Sequence, residues 1–301
     1  MLKLELLKGT ERYDLTDAVD YVLQAFDNLA LPPLTNLTER GPYQVGATLV
    51  GTRIEERRIP LTVHTFAEDE QGYWERRAEL ARLLTPYDGT LTLRLRRDGF
   101  ITRCLDVVYD GGLTLSSAER RVFGQLAAFT LLAPNPVWYD PTAIVLTFSL
   151  AGASPATMVP TPVPTFVGAS IIDTSQTITY TGDWASEPVI RINGPITNTI
   201  IRNTTTGEKL DFSQYAVGGV PVGTYIAAGE YLEINCATNK IVDQGGISRL
   251  AWLSEDSDLA TFHIAAEPEA VGGVNTIQVQ GFNVNAATSI VFTYYPQFLG
   301  I

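Results

Sequence analysis

The chain has 301 residues, 45% of them hydrophobic and 10% aromatic, enough for two domains of about 150 residues that each bury a core. Its formal net charge is −12, from 33 acidic and 21 basic residues, which argues against nucleic-acid binding by phosphate neutralisation. The two cysteines, Cys104 and Cys236, have no C-x-x-C spacing, so neither a disulfide framework nor a structural zinc site is expected, and both read as buried small apolar residues.

The charge is uneven. Residues 1–140 hold 16 Lys+Arg and 20 Asp+Glu, residues 141–301 hold 5 and 13, and two differently built halves follow. Abundant Thr, Val, Ile and Tyr, with 25 Gly and 17 Pro, favour β structure. The opening "MLKLELLKGT" alternates Leu with charge as a half-buried strand does and lacks the apolar run of a signal peptide. No window approaches a membrane span, and a soluble protein made in a cytoplasm is expected.

"YDLTDAVDYVLQAFDN" carries no clean helical stripe and reads as two short strands, with one helix as the alternative. "ALPPLTNLTERGPYQVGAT" reads as a long extended loop whose length suggests reach towards a neighbour. "RRIPLTVHTF" is a strand with Ile59, Leu61 and Val63 on one face. In "YWERRAELARLLTP", Trp74, Ala78, Ala81 and Leu84 recur at helical spacing beside Leu80 and Leu83, predicting a helix over 73–85 stopped by Pro86. A hairpin follows over 90–109, with "RDG" as its turn, and a further long strand runs into "LLAPNPVWYDP".

In that last stretch Pro134 and Pro136 withhold backbone donors and end the strand, Trp138 and Tyr139 are expected to pack in a seam between domains, and Pro141 stiffens the exit. The first domain is thus 1–141, a β domain with one packed helix. Residues 142–165 form a strand and a Pro-rich linker. From 166 to 301, short strands every 8–12 residues, including "TFHIAAEP", predict a β-sandwich. The fold class is mainly β.

Chemistry is sparse. His64 and His263 sit in alternating strands without a second metal-ligating neighbour, and no nucleophile-elbow, phosphate-loop, dinucleotide or zinc-protease motif occurs. "SEDSDLA" groups Glu255, Asp256 and Asp258 without the spacing of a calcium loop, and reads as a solvated acidic turn. No catalytic residue, cofactor or metal is assigned. Trp184, Tyr231 and Trp252 are the aromatics that could stack on a sugar, which leaves a carbohydrate-binding protein as the alternative reading.

Four stretches in this order carry a resemblance: "PPLTNLTERGPYQVGAT" before "RIEERRIPLTV", "RRAELARLLTPYDGTLTL", "FTLLAPNPVWYDP", and "EPVIRINGPITNTIIRNTTTGEKLDF" followed by "GEYLEINCATNKIV". Together they make the chain similar to the distal tail proteins of long-tailed, non-contractile bacteriophages. The Pro-rich insertion and the acidic C-terminal half depart from that pattern. The resemblance implies a virion protein of the tail tip. Its N-terminal domain, a sandwich or barrel, would form a homo-hexameric ring between the tube protein and the tail-tip hub, with a lumen for DNA passage. Its C-terminal, galectin-like sandwich would serve receptor-binding components, and no enzyme activity is required. Under that reading Arg53, Arg57 and Arg58 with Glu55 and Glu56 suit intersubunit ion pairs, and the loop with Pro42 and Tyr43, together with the hairpin 90–109, suits the contact.

Overall fold

A computed structural model of the chain describes residues 2–17, 19–85, 89–115, 123–149, 171–217 and 220–301. Pro86 and the Pro-rich stretch 151–165 lie outside the described residues. The chain divides into unit 1, Met1–Pro141 with Phe298–Ile301, and unit 2, Thr142–Gln297.

Unit 1 contains β1 (Leu2–Lys8), β2 (Glu11–Asp14), β3 (Tyr21–Phe26), β4 (Leu34–Glu39), β5 (Thr48–Ile54), β6 (Arg57–Phe66), α1 (Glu70–Leu83), β7 (Leu91–Arg97), β8 (Ile101–Leu115), β9 (Gly124–Ala133) and β10 (Trp138–Tyr139). Its main sheet has the order β2-β1-β7-β8-β9-β6-β3, antiparallel throughout. Strand β8 serves both halves of it. Ile101–Val107 pair with β7, whereas Val108–Leu115 pair with β9 across two register shifts at Gly111 and Thr114. Gly111 (φ 104°) and Gly112 (φ 77°) supply the left-handed backbone that such a bulge needs.

Period-two alternation fixes which side chains meet between these halves. Leu4, Leu6, Leu91, Leu93, Leu95, Leu105 and Val107 pack with Ile59, Leu61, Val63, Ala127, Phe129 and Leu131, all buried. On the opposite face, the buried carboxylate of Glu5 is held by Arg12 and, at 2.5 Å, by Arg94.

Helix α1 starts earlier than the spacing predicts, because the Asp69 side chain accepts a hydrogen bond from the Gly72 N–H at 2.7 Å and caps it. Its buried residues are Tyr73, Leu80 and Leu83. Trp74, one residue or about 100° round from Tyr73, is exposed and carries the Arg77 guanidinium 5.1 Å above its ring. The Tyr73 hydroxyl instead donates to the buried Gln125 side chain at 2.5 Å.

The stretch expected to be a long loop is mostly a hairpin, β4–β5. In the 90–109 hairpin, β7 lies between β1 and β8, while the far side of β8 pairs with β10 at Cys104 and with β9 from Val108 onward.

Unit 2 begins with β11 (Ile144–Ser149), β12 (Ile171–Thr179), β13 (Val189–Asn193), β14 (Ile196–Asn203) and β15 (Lys209–Asp211). It continues with the short β16 (Ala216–Val217), β17 (Val220–Pro221) and β18 (Tyr225–Ile226), then β19 (Tyr231–Asn235), β20 (Lys240–Asp243), β21 (Val274–Phe282) and β22 (Ser289–Tyr294). Two sheets, β11-β22-β13-β19-β20 and β12-β21-β14-β15, contribute Ile190, Ile192, Ile234, Ile290 and Phe292 and Ile172, Ile201, Ile277 and Val279 to one core.

"TFHIAAEP" is not a strand. Its Ile264 makes only an isolated bridge to Ser186, and the buried Asn275 side chain satisfies both backbone groups of Ala265 at 2.8 Å, in place of a ladder. The last strand, β23 (Gln297–Phe298), pairs with β10.

Because Leu93 is fully buried at the centre of β7, Leu93→Ala is expected to cost unit 1 about 2–5 kcal/mol. Urea unfolding followed by hydrogen exchange should show the loss in β7, β1 and β8, with β21 and β22 unchanged.

Candidate assembly surface

Hairpin β4–β5 pairs Leu34 with Ile54, Asn36 with Thr52 and Glu39 with Thr48, and joins no other strand among the described residues. Thr, Leu and Val favour extended backbone, and the Thr52 hydroxyl donates to the Asn36 side chain at 3.1 Å. At the tip, the Gln44 side chain accepts from the Gly41 N–H at 2.9 Å and donates to the Thr48 hydroxyl at 2.8 Å. Tyr43 (φ 66°) and Gly46 (φ 82°) take the left-handed backbone of the turn.

Every residue of β4 is exposed. Leu34, Leu37, Leu49, Val50, Tyr43 and Val45 all face solvent, Tyr43 beside the exposed Pro42. A two-stranded hairpin is marginal in water by itself, and an apolar surface of this kind marks a contact.

The charged residues at the hairpin root separate into two kinds. Arg53 pairs with Glu55 at 3.6 Å, and Arg58 pairs with Glu56 at 3.1 Å and Asp110 at 3.5 Å. These are intrachain, exposed pairs worth about 0–1 kcal/mol each. Arg57 is different, and the expectation of an exposed interface pair is corrected for it: the side chain is fully buried.

Among the described residues no carboxylate answers Arg57. Its Nη1 donates to Asn28 O and Ala30 O, both at 2.7 Å; its Nη2 donates to Leu299 O at 2.8 Å and Pro136 O at 3.0 Å; its Nε donates to Pro136 O at 3.2 Å. Desolvation lowers its pKa to about 10, which leaves it charged at neutral pH. Sequence spacing alone makes it look like its neighbours. The one hint is its place as first residue of β6, where alternation with Ile59, Leu61 and Val63 turns it inwards.

The Pro-aromatic stretch lies against the same guanidinium. Strand β9 ends at Ala133, directly before Pro134, and Pro136 contributes the carbonyl just described. The expectation that Trp138 fills a seam between domains is revised: it is wholly buried in the core of unit 1, with its indole N–H on Leu29 O at 3.2 Å and Arg57 5.8 Å from its ring. Tyr139 pairs with Cys104 in β8 and donates its hydroxyl to Asp106 at 2.9 Å. Pro141 is exposed at the end of the stretch.

The chain's other candidates resolve as structural groups. Cys104 and Cys236 are free and buried, and desolvation pushes their thiols up to about 11 and about 12. Asp258 accepts from the Lys209 N–H at 3.0 Å, and among the described residues no cluster suited to a metal occurs. Trp252 lies under Arg249 at 4.8 Å and beside Tyr215 at 6.0 Å, while Arg191 covers Tyr231 at 3.6 Å. The cleft that Trp252 and Tyr231 line holds about 80 Å³, below the ~300–1,000 Å³ of ligand pockets. Trp184 is bridged to Gln297.

Residues 11–127, which run from β2 to the first residues of β9 and include the hairpin, match the family model of the phage tail protein RIFT-related domain. No curated protein matches the chain. Among solved structures, the SPP1 Dit protein, described as a paradigm of the hub adsorption apparatus in phages infecting Gram-positive bacteria, is 14% identical; the match covers 97% of this chain and 98% of that one with a TM-score of 0.61. The fold is therefore shared beyond residues 11–127 and through unit 2. The phage P2 baseplate in its activated conformation with Ca is 13% identical over 98% of both chains, at a TM-score of 0.49.

His263 gives unit 2 a pH dependence. Its Nδ1 lies 2.6 Å from Thr261 O and 3.2 Å from Glu208, and its Nε2 lies 2.9 Å from Glu269. Desolvation lowers its pKa, but the Thr261 carbonyl and the two carboxylates outweigh this and raise it above the ordinary 6.5. The stability that this cation contributes is fully present below pH about 6.5 and is lost as pH rises through the raised folded value. Thermal melts from pH 5 to 9 should show that decline in unit 2, and His263→Gln should flatten it.

Proposed function

We propose that this protein is a structural component of a phage tail tip, a distal tail protein whose unit 1 closes into a homo-hexameric ring at the end of the tail tube. The ring is bounded by the tube protein on one side and the hub on the other, and encloses a lumen for DNA. Unit 2 is the part available to receptor-binding components. The observation that carries this reading is the β4–β5 hairpin of the RIFT-related domain, an apolar arm that nothing among the described residues of its own chain covers.

A second copy is its fitting cover. A hairpin has two free edges, strand β3 at the rim of the main sheet leaves one of its own with Phe26 exposed, and cyclic repetition of such contacts closes a ring. The other rim, β2, is only four residues long and carries Glu11, Arg12 and Asp14, a composition that discourages pairing. The net charge of −12 fits a lumen that DNA crosses without sticking. Nothing in this role calls for catalysis or a cofactor.

Mass measurement in solution, alone and with tube or hub protein added, tests the reading. A species six times the chain mass is expected. Leu37→Asp with Val50→Asp should abolish it while leaving the melting temperature within about 1 °C, since exposed substitutions away from such contacts change stability little. A strict monomer under all these conditions, or a ring indifferent to the hairpin variant, would count against it.

A further inference from the structure

Residues Phe298–Ile301 belong to unit 1, although the rest of that unit ends at Pro141. Three observations show how they are held. Arg57 reaches Leu299 O at 2.8 Å across 242 positions of sequence. The Arg103 guanidinium, 3.4 Å from Asp140, lies 3.5 Å above the Phe298 ring, which itself packs against the unit 1 core. Gly300 passes so close to Ala30 that a Cβ there would stand 3.3 Å from its carbonyl oxygen.

The chemistry of Arg57 makes this more than a loose tail. A buried guanidinium presents five N–H donors in a fixed fork and leaves a large penalty for any that lacks an acceptor. Among the described residues every acceptor of that fork is a backbone carbonyl, from the approach to the hairpin (Asn28 and Ala30), the stretch after β9 (Pro136) and the returning chain (Leu299). Residues up to Pro141 are made before unit 2, yet one of the four acceptors and one of the aromatic packing groups of unit 1 are made after it.

We propose that Phe298 and Leu299 are a fold-completing segment: unit 1 orders its hairpin root and becomes competent to assemble only once synthesis has passed Leu299. Ring formation is thereby confined to chains that already carry unit 2. The assembly half of this statement rests on the tail-tip reading; the folding half does not.

The test is hydrogen exchange on the full chain and on the same chain lacking Phe298–Ile301, at dilutions where both are monomeric. Deletion is expected to lower protection at least tenfold around Asn28–Ala30, Arg57 and Pro136–Tyr139, with β21 and β22 of unit 2 unchanged. Equal protection at the hairpin root in both chains would overturn the proposal. If the deletion unfolds both units, Phe298→Ala decides: selective loss of protection at the same root supports the proposal, and unchanged protection overturns it. A failure of the ring alone leaves this monomer readout intact, so the two readings fail separately.

Discussion

The interaction on which unit 1 depends is the buried guanidinium of Arg57. A charge in a protein interior is tolerated only where fixed dipoles replace its hydration shell. Four carbonyls do so here, and among the described residues no carboxylate shares the task. Those carbonyls come from segments far apart in sequence, so one side chain sets the position of the hairpin root, the Pro-aromatic stretch and the returning C-terminal residues. Trp138 closes the same site from the side, through its indole N–H on Leu29 O and its ring near the cation.

That arrangement gives the hairpin its character. Its strands gain little from their own pairing and nothing from a core, yet their root is tied to one of the most constrained points of unit 1. A firmly rooted arm with an apolar, uncovered surface is suited to reach a neighbour without unfolding its own domain. The surrounding ion pairs of Arg53 and Arg58 are exposed and set little of this geometry.

Unit 2 is built on a different balance. Its two sheets bury Ile, Val and Phe in ordinary alternation, and its polar groups are absorbed in closing turns: Asn275 substitutes for a ladder at Ala265, Asp258 caps Lys209, and Asp243 orders the Gly245–Ile247 turn while pairing with Arg249 at 2.8 Å. Two of the three aromatics that could stack on a sugar, Tyr231 and Trp252, are covered by arginines of the same unit.

The amino-acid sequence by itself determined the mainly β class, the strands whose Leu, Ile and Val alternate at period two, and a single helix in the first half. These signals are local, and each strand displays its buried face within a few residues. Trp74 shows the limit: spacing placed it on the apolar face, but the Asp69 cap and the Tyr73 contact with Gln125 set the helix so that Trp74 points outwards. Only tertiary structure decided that the Pro- and Thr-rich stretch forms a hairpin, that Trp138 is a core residue, and that Arg57 is buried beside its exposed neighbours Glu56 and Arg58. The reason is that burying a charge depends on acceptors 27 to 242 positions away, and no local pattern records where those carbonyls will meet.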